Sequence, residues 1–397
     1  MNLIYISSVC SEKRYKKAIK SGLTTRGYQN QKFHHLILEG ICQFEDVKVD
    51  VASYPPFDYG RTYVRGTSEK EGRVHYHYPG LIMIPYIKRI CIYINTFFKV
   101  LRLSKKDSII ICNVMDTFMS FAAQRVARIR RLKTIGIVTD VPAYTQSVPG
   151  RGIKHKLDDI FQSIGLNYCR RHDGYLLLAD AMNKLVNPNN KPSIVIEGFA
   201  DAGMESKSNK LVEKRYPKVL MYAGGISKQY GLELLVKAFL KIGNPEWVLN
   251  IYGRGDYVEE LKEVSNNHKN VQYMGLVENE TIVKEQIAAT LLVNPRPTHE
   301  EFVKYSFPSK TIESMASGTP LLTTRLPSMP ENYHNYVYLF DEENEESFSR
   351  VLSSTMEKPV EELHNFGMTA KQFIIQNKNN KVQTKRFIDF VKNHILS

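Results

Sequence analysis

The sequence predicts two doubly wound α/β domains of similar size, and three observations carry that reading. At 397 residues the chain exceeds what one hydrophobic core usually supports. Short β-branched apolar runs alternate with helical stretches, the pattern of parallel strands covered on both faces. The alternation stops at a polar stretch, residues 201–214, and then starts again. The expected division is a first domain over 1–200, a linker over 201–214, a second domain over 215–375 and a final helix over 376–397 returning to the first domain. Ligands are expected in a cleft between the domains, at the carboxyl ends of the strands.

Each element has its own signal. Strands are expected at 3–8, 47–53, 108–112, 134–139, 174–178 and 193–197, where apolar runs are short and bounded by polar residues. Helices are expected at 30–42, 117–130 and 157–171. After the polar stretch come strands at 219–222, 247–252, 271–273, 291–294 and 321–323, with helices at 231–242, 258–264, 280–288 and from Pro308 onward. Helices at 360–376 and 383–395 close the chain without a strand between them. The N-terminal apolar run is too short for a signal peptide and no cationic stretch precedes it, so a cytoplasmic location is expected.

Composition removes some classes of function. Hydrophobic residues make up 43% and charged residues 24%, as in ordinary folded proteins. Five cysteines without CxxC spacing argue against a disulfide framework and a zinc site. A net charge of +13 implies an anionic partner. No zinc-finger spacing, RNP-like motif or Arg-rich tail supports nucleic acid. An anionic membrane surface has more support. Residues 86–103 read as a helix with bulky apolar residues on one side and Lys88, Arg89, Lys99 and Arg102 outside, suited to the headgroup region, or equally as a core helix with a basic rim.

The most informative stretch is 305–320, Tyr-Ser-Phe-Pro-Ser-Lys-Thr-Ile-Glu-Ser-Met-Ala-Ser-Gly-Thr-Pro. Pro308 suits the first position of a helix and Gly318 the left-handed residue just past its end. Lys310 in the first turn is unfavourable beside the positive end of the helix unless an anion sits there too, and a phosphate would supply one. Glu313, three residues on and on the same face, is placed to accept hydrogen bonds from sugar hydroxyls. Alone, the pattern also fits a surface ion pair. Two glycine turns change the balance. Ala223-Gly224-Gly225 ends one expected strand and Gly253-Arg254-Gly255 the next, where exposed amides can cradle a diphosphate.

Together these features resemble the retaining, nucleotide-sugar-dependent glycosyltransferases of family 4, with the GT-B fold, and specifically those of polysaccharide assembly. The resemblance spans nearly the whole chain and is strongest over residues 218–325. Family members carry both glycine turns, a glycine near the nucleobase as in 271–276, and an E-x7-E motif whose second glutamate precedes Met-Ala-x-Gly-x-Pro. That glutamate binds the ribose, so the resemblance gives Glu313 this role and places Gly224, Gly225, Arg254, Arg296, Ser309 and Lys310 around the donor. Two departures stand out. The first motif glutamate falls on Tyr305, with Glu300 or Glu301 as replacements, and the cations that usually follow the first glycine turn are missing. Lys310 with Arg296 would compensate.

Relatives place a polar residue at the strand end occupied by Asp140, which the resemblance makes the catalytic candidate; an Asx turn before Pro142 explains it as well. Thr24, Thr25 and Arg26, in the loop that replaces the family's glycine loop, and Asp116 fall on the acceptor side. The implied activity is transfer from a nucleotide diphosphate sugar, with a UDP-sugar favoured, to a lipid-linked or growing glycan of a capsule or exopolysaccharide. The expected setting is the inner face of the cell membrane, with no metal and no other cofactor. The alternatives are a nucleotide-sugar 2-epimerase of the same fold and a non-catalytic sugar-nucleotide or glycan-binding subunit.

Overall fold

Strands buried along most of their length build the main sheet of each unit. In the computed structural model, which describes residues 1–23, 28–141 and 163–396, two compact units form, one from Met1–Phe199 with Asn380–Ser397 and the other from Ala200–Asn379.

The first unit is built on strands β1 (Asn2–Ile6), β2 (Lys48–Ala52), β3 (Tyr63–Val64), β4 (Thr67–Glu71), β5 (Val74–Tyr78), β6 (Leu81–Ile82), β7 (Ser108–Asn113), β8 (Lys133–Val138), β9 (Gly174–Leu177) and β10 (Ser193–Val195). Its main sheet has the order β10-β9-β8-β7-β1-β2-β5-β4 and is parallel except for the antiparallel β4–β5 edge. Every residue of β7 is buried, the mark of a central strand covered on both faces. Helix Asn380–Phe390 packs on helix Tyr28–Ile41. A Cβ on Gly40 would collide with Thr384, and Asn380 Nδ2 donates to Leu36 O.

The second unit carries β11 (Lys218–Gly225), β12 (Trp247–Arg254), β13 (Val271–Gly275), β14 (Leu291–Asn294), β15 (Leu321–Thr323) and β16 (Tyr338–Leu339) in one parallel sheet of order β13-β12-β11-β14-β15-β16. Leu220 and Tyr222 point into a core with Leu232, Leu235 and Phe239, whereas Val219 and Met221 point into the opposite core with Ile312 and Met315. Each such side chain contributes about 1.5–3 kcal/mol when fully buried. These contacts hold helix Ser309–Ser317 against the sheet.

Several sequence expectations change. Residues 201–214, read as a linker, fold into short 3-10 turns on the second unit. Asn209 donates to Ser317 O at 2.9 Å, and Lys214 Nζ donates to Ile287 O and Ala289 O, so polar composition here reflects buried backbone partners. Helix Glu12–Lys20 was not expected; Ser11 caps it by accepting from Arg14 N. Pro308 sits one position earlier than expected, as the N-cap, and the helix begins at Ser309. Part of the helix expected at 157–171 lies outside the described residues; the described part is helical over 163–169.

Candidate functional site

The second unit gathers two glycine turns, two cations and a carboxylate at the carboxyl ends of its strands. Gly224 and Gly253 are register partners in β11 and β12. Gly253 has a φ of 138°, and a Cβ there would overlap the carbonyl of Gly224, so the turns lie this close only because position 253 has no side chain. Ile226 N donates to Arg254 O at 2.9 Å and ties the first turn to the end of β12. The Arg254 side chain is exposed.

Lys310 reaches this turn from the first turn of helix Ser309–Ser317, which has no side-chain cap. A Cβ on Gly224 would collide with Lys310 Nζ and with Tyr222 Oη. The ammonium lies 5.9 Å from the Tyr222 ring centroid, and Tyr222 Oη donates to Gly225 O at 2.8 Å, which fixes the ring beneath it. Arg296 arrives from the loop after β14. Its guanidinium lies 4.9 Å from the centroid of Phe302 and 5.9 Å from that of Tyr230, whose ring packs against Gly225. Thr324 Oγ1 donates to Arg296 O, and Thr298 N donates to Glu343 Oε1 at 2.8 Å, so both ends of this loop are held.

The electrostatics follow from that crowding. Burial pushes the Lys310 ammonium down to about 8; the Arg296 charge pushes the same way, and the Glu313 carboxylate opposes both. Two cations held beside the half-buried backbone of a glycine turn make surroundings chemically suited to a compact anion. Ser309 and Glu313 are half-buried on the same short helix. Of the possible replacements for the first motif glutamate, Glu300 lies 3.8 Å from His299, and Glu301 opens the turn ending at Tyr305. Tyr222, Asn294 and Ser314 line a small pocket with Lys310, and Asn294 Nδ2 is buried there without a hydrogen-bond partner. Sequence reading missed Tyr222 and Asn294 because each looks like a strand residue; only Arg296, two residues beyond Asn294, marked the place.

In the first unit, Asp116 ends the turn after β7. Its carboxylate accepts from Ser8 N at 2.9 Å and from Asn113 Nδ2 at 2.8 Å. Burial pushes its pKa up to about 6, against the lowering effect of those hydrogen bonds. Asp140, just past β8, is exposed. Thr24, Thr25 and Arg26 lie outside the described residues.

Helix Ile87–Leu103 covers the span expected at 86–103. Its large apolar residues Ile87, Ile90, Ile94 and Phe98 are exposed along one stripe, at 45%, 59%, 44% and 54%. Lys88 and Lys99 are half-buried beside it, Arg102 is exposed, and the Arg89 guanidinium lies 5.7 Å from the Phe118 ring centroid. The cations thus share the helix with an open apolar stripe. Among the described residues, no helix is long and apolar enough to cross a membrane.

Residues 203–373 match the family model of the glycosyl transferases group 1. No curated protein sequence matches the chain. Sucrose-phosphate synthase from Thermosynechococcus elongatus shares the fold with a TM-score of 0.72 at 13% identity, covering 100% of both chains. HepE of Anabaena, solved with UDP, gives 0.64 at 12% identity over 99% of this chain and 100% of its own. The lipopolysaccharide outer core galactosyltransferase WaaB gives 0.62 at 15% identity over 99% of each chain.

Proposed function

We propose that this chain, which has the GT-B fold and a glycosyl transferases group 1 domain over residues 203–373, transfers a sugar from a nucleotide diphosphate sugar, with retention of configuration, to a lipid-linked or growing cell-surface glycan. One observation carries the reading: Lys310 and Arg296 flank the Gly224–Gly225 turn, with Glu313 one helical turn beyond Lys310. A diphosphate seated against the turn meets both cations, and its ribose falls to Glu313. UDP is the favoured nucleotide, in keeping with the UDP and UDP-glucose complexes of HepE.

The chemistry asked of the site is stabilisation of a leaving diphosphate. Charge develops on the β-phosphate as the glycosidic bond breaks, and preorganised cations with backbone amides meet it without a metal ion. Asp140 is assigned to the reacting sugar. Asp116, with Thr24, Thr25 and Arg26, is assigned to the acceptor. The flanked apolar stripe of helix Ile87–Leu103 suits an anionic bilayer, where a lipid-linked acceptor is presented at the inner face of the cell membrane. A thermal-shift screen against UDP-, GDP-, dTDP- and CMP-sugars tests the donor assignment: a rise with one nucleotide class is expected by linkage, and no rise with any of them overturns the reading.

A further inference from the structure

Two strands of the first unit bring together a carboxylate and two imidazoles that sugar transfer does not use. Asp50 on β2 stands opposite His75 on β5, and His77, two residues on, shares that face. Asp50 Oδ1 lies 2.8 Å from His77 Nε2 and 3.4 Å from His75 Nδ1. The imidazole centroids are 4.1 Å apart, and one ligand atom from each of the three residues falls within 4.8 Å of the others. Ligands about 2.0–2.2 Å from a tetrahedral zinc ion are about 3.3–3.6 Å from one another, so small side-chain rotations open the space an ion needs.

We propose that Asp50, His75 and His77 bind a late first-row divalent cation, zinc fitting best, which clamps β2 to the edge hairpin β4–β5 and leaves a coordination position open to solvent. The openness follows from exposure: the His77 side chain is 9% exposed, whereas those of Asp50 and His75 are each 35% exposed. The backbone beneath is fixed, since Ser53 N donates to His77 O at 2.9 Å and β5 is paired on both sides. The choice of metal follows from the surroundings. Lys70 and Lys99 act on His75 and Lys105 acts on Asp50. Such cations disfavour magnesium or calcium, which oxygen ligands hold mainly by charge, while two imidazoles select zinc, nickel or copper. The site lies wholly in the first unit and stands apart from the donor reading.

The test uses the full chain, stripped with a chelator and dialysed, then titrated with zinc chloride by calorimetry and with cobalt chloride by visible absorption. The expected result is one saturable zinc equivalent, a raised Tm, and cobalt bands typical of low-coordinate nitrogen and oxygen ligation. Affinity should fall at least about tenfold in both His75→Gln and Asp50→Asn, with UDP-sugar affinity unchanged. His75 is half-exposed whereas His77 is buried, so His75→Gln is expected to keep the wild-type circular dichroism and is the variant that reads binding apart from folding. No saturable equivalent, wild-type affinity in His75→Gln, or thiolate-to-cobalt bands reporting cysteine ligation would overturn the proposal.

Discussion

Replacing Lys310 with methionine separates a binding lysine from a structural one, because the two roles predict opposite changes in stability. Methionine keeps the length and helix propensity of the side chain and removes only the charge. Burial and Arg296 lower the Lys310 pKa from 10.5 to about 8. At 1.36 kcal/mol per unit, that drop corresponds to a cost of about 3 kcal/mol for holding the charged lysine in the apo fold, an upper bound because part of the side chain still meets solvent. Below about pH 8 both folded and unfolded states carry the proton and the full cost applies. Between about 8 and 10.5 the folded state gives up its proton first, so stability at this site rises with pH. Urea unfolding of Lys310→Met should therefore show a fold more stable than wild type at pH 7, with the gap closing toward pH 10. UDP binding should move the other way, falling at least about tenfold at pH 7 in the variant, as for a lost charge-assisted hydrogen bond, and falling in the wild type as pH rises through about 8. A variant less stable than wild type at pH 7 that still binds UDP normally would refute this reasoning and make Lys310 a structural partner of Glu313.

The remaining predictions test the neighbouring groups. Glu313→Ala should weaken UDP binding about ten- to hundredfold by calorimetry, the range for a hydrogen bond to a charged group, without lowering Tm; wild-type affinity would remove the ribose assignment. Gly224→Ala should push Lys310 off the turn and weaken UDP binding, and should add little to Lys310→Met because both act on the same ammonium. Asp116 has its pKa raised from 3.8 to about 6, so its contribution to stability is full below about pH 4 and lost as pH rises through about 6. Asp116→Asn should accordingly be at least as stable as wild type at pH 7 while losing transfer; a loss of Tm with normal transfer would make the carboxylate a tether for Ser8. Ile90→Ser with Phe98→Ser should reduce co-sedimentation with vesicles at high and low salt, whereas Lys88, Lys99 and Arg102 changed to Ser should reduce it only with anionic lipid, by about 1 kcal/mol per cation. Unchanged sedimentation in both sets would leave the stripe without a membrane role.

What the sequence revealed and what it hid divides along one physical line. Burial of apolar surface marks the residue types that fill it, so β7 and β11 were legible as short apolar runs and the helix ending at Gly318 from the proline and glycine at its ends. Helix Glu12–Lys20 was not, because only Tyr15 and Ala18 are buried and its one clear signal was the cap at Ser11. The edge strand Thr67–Glu71 is largely exposed and charged, as edge strands that resist further pairing tend to be, and so it showed no strand pattern at all.

Polar residues were harder, because the meaning of a polar side chain depends on its partner and partners come from the fold. Asn209 and Lys214 looked like linker residues until carbonyls of the second unit closed around them. Asp50 lies far from His75 and His77 in sequence, and only the β2–β5 register makes them neighbours. The glycine turns stood out because a missing side chain is visible in the sequence, yet the reason for them was not: Gly224 is bare so that an ammonium can lie against it. A lysine kept there at a cost to the apo fold is best explained by an anion that arrives later. If the UDP-bound protein shows Lys310 protonated well above pH 8 while the free protein does not, the same charge that strains the empty fold is the one that holds the donor.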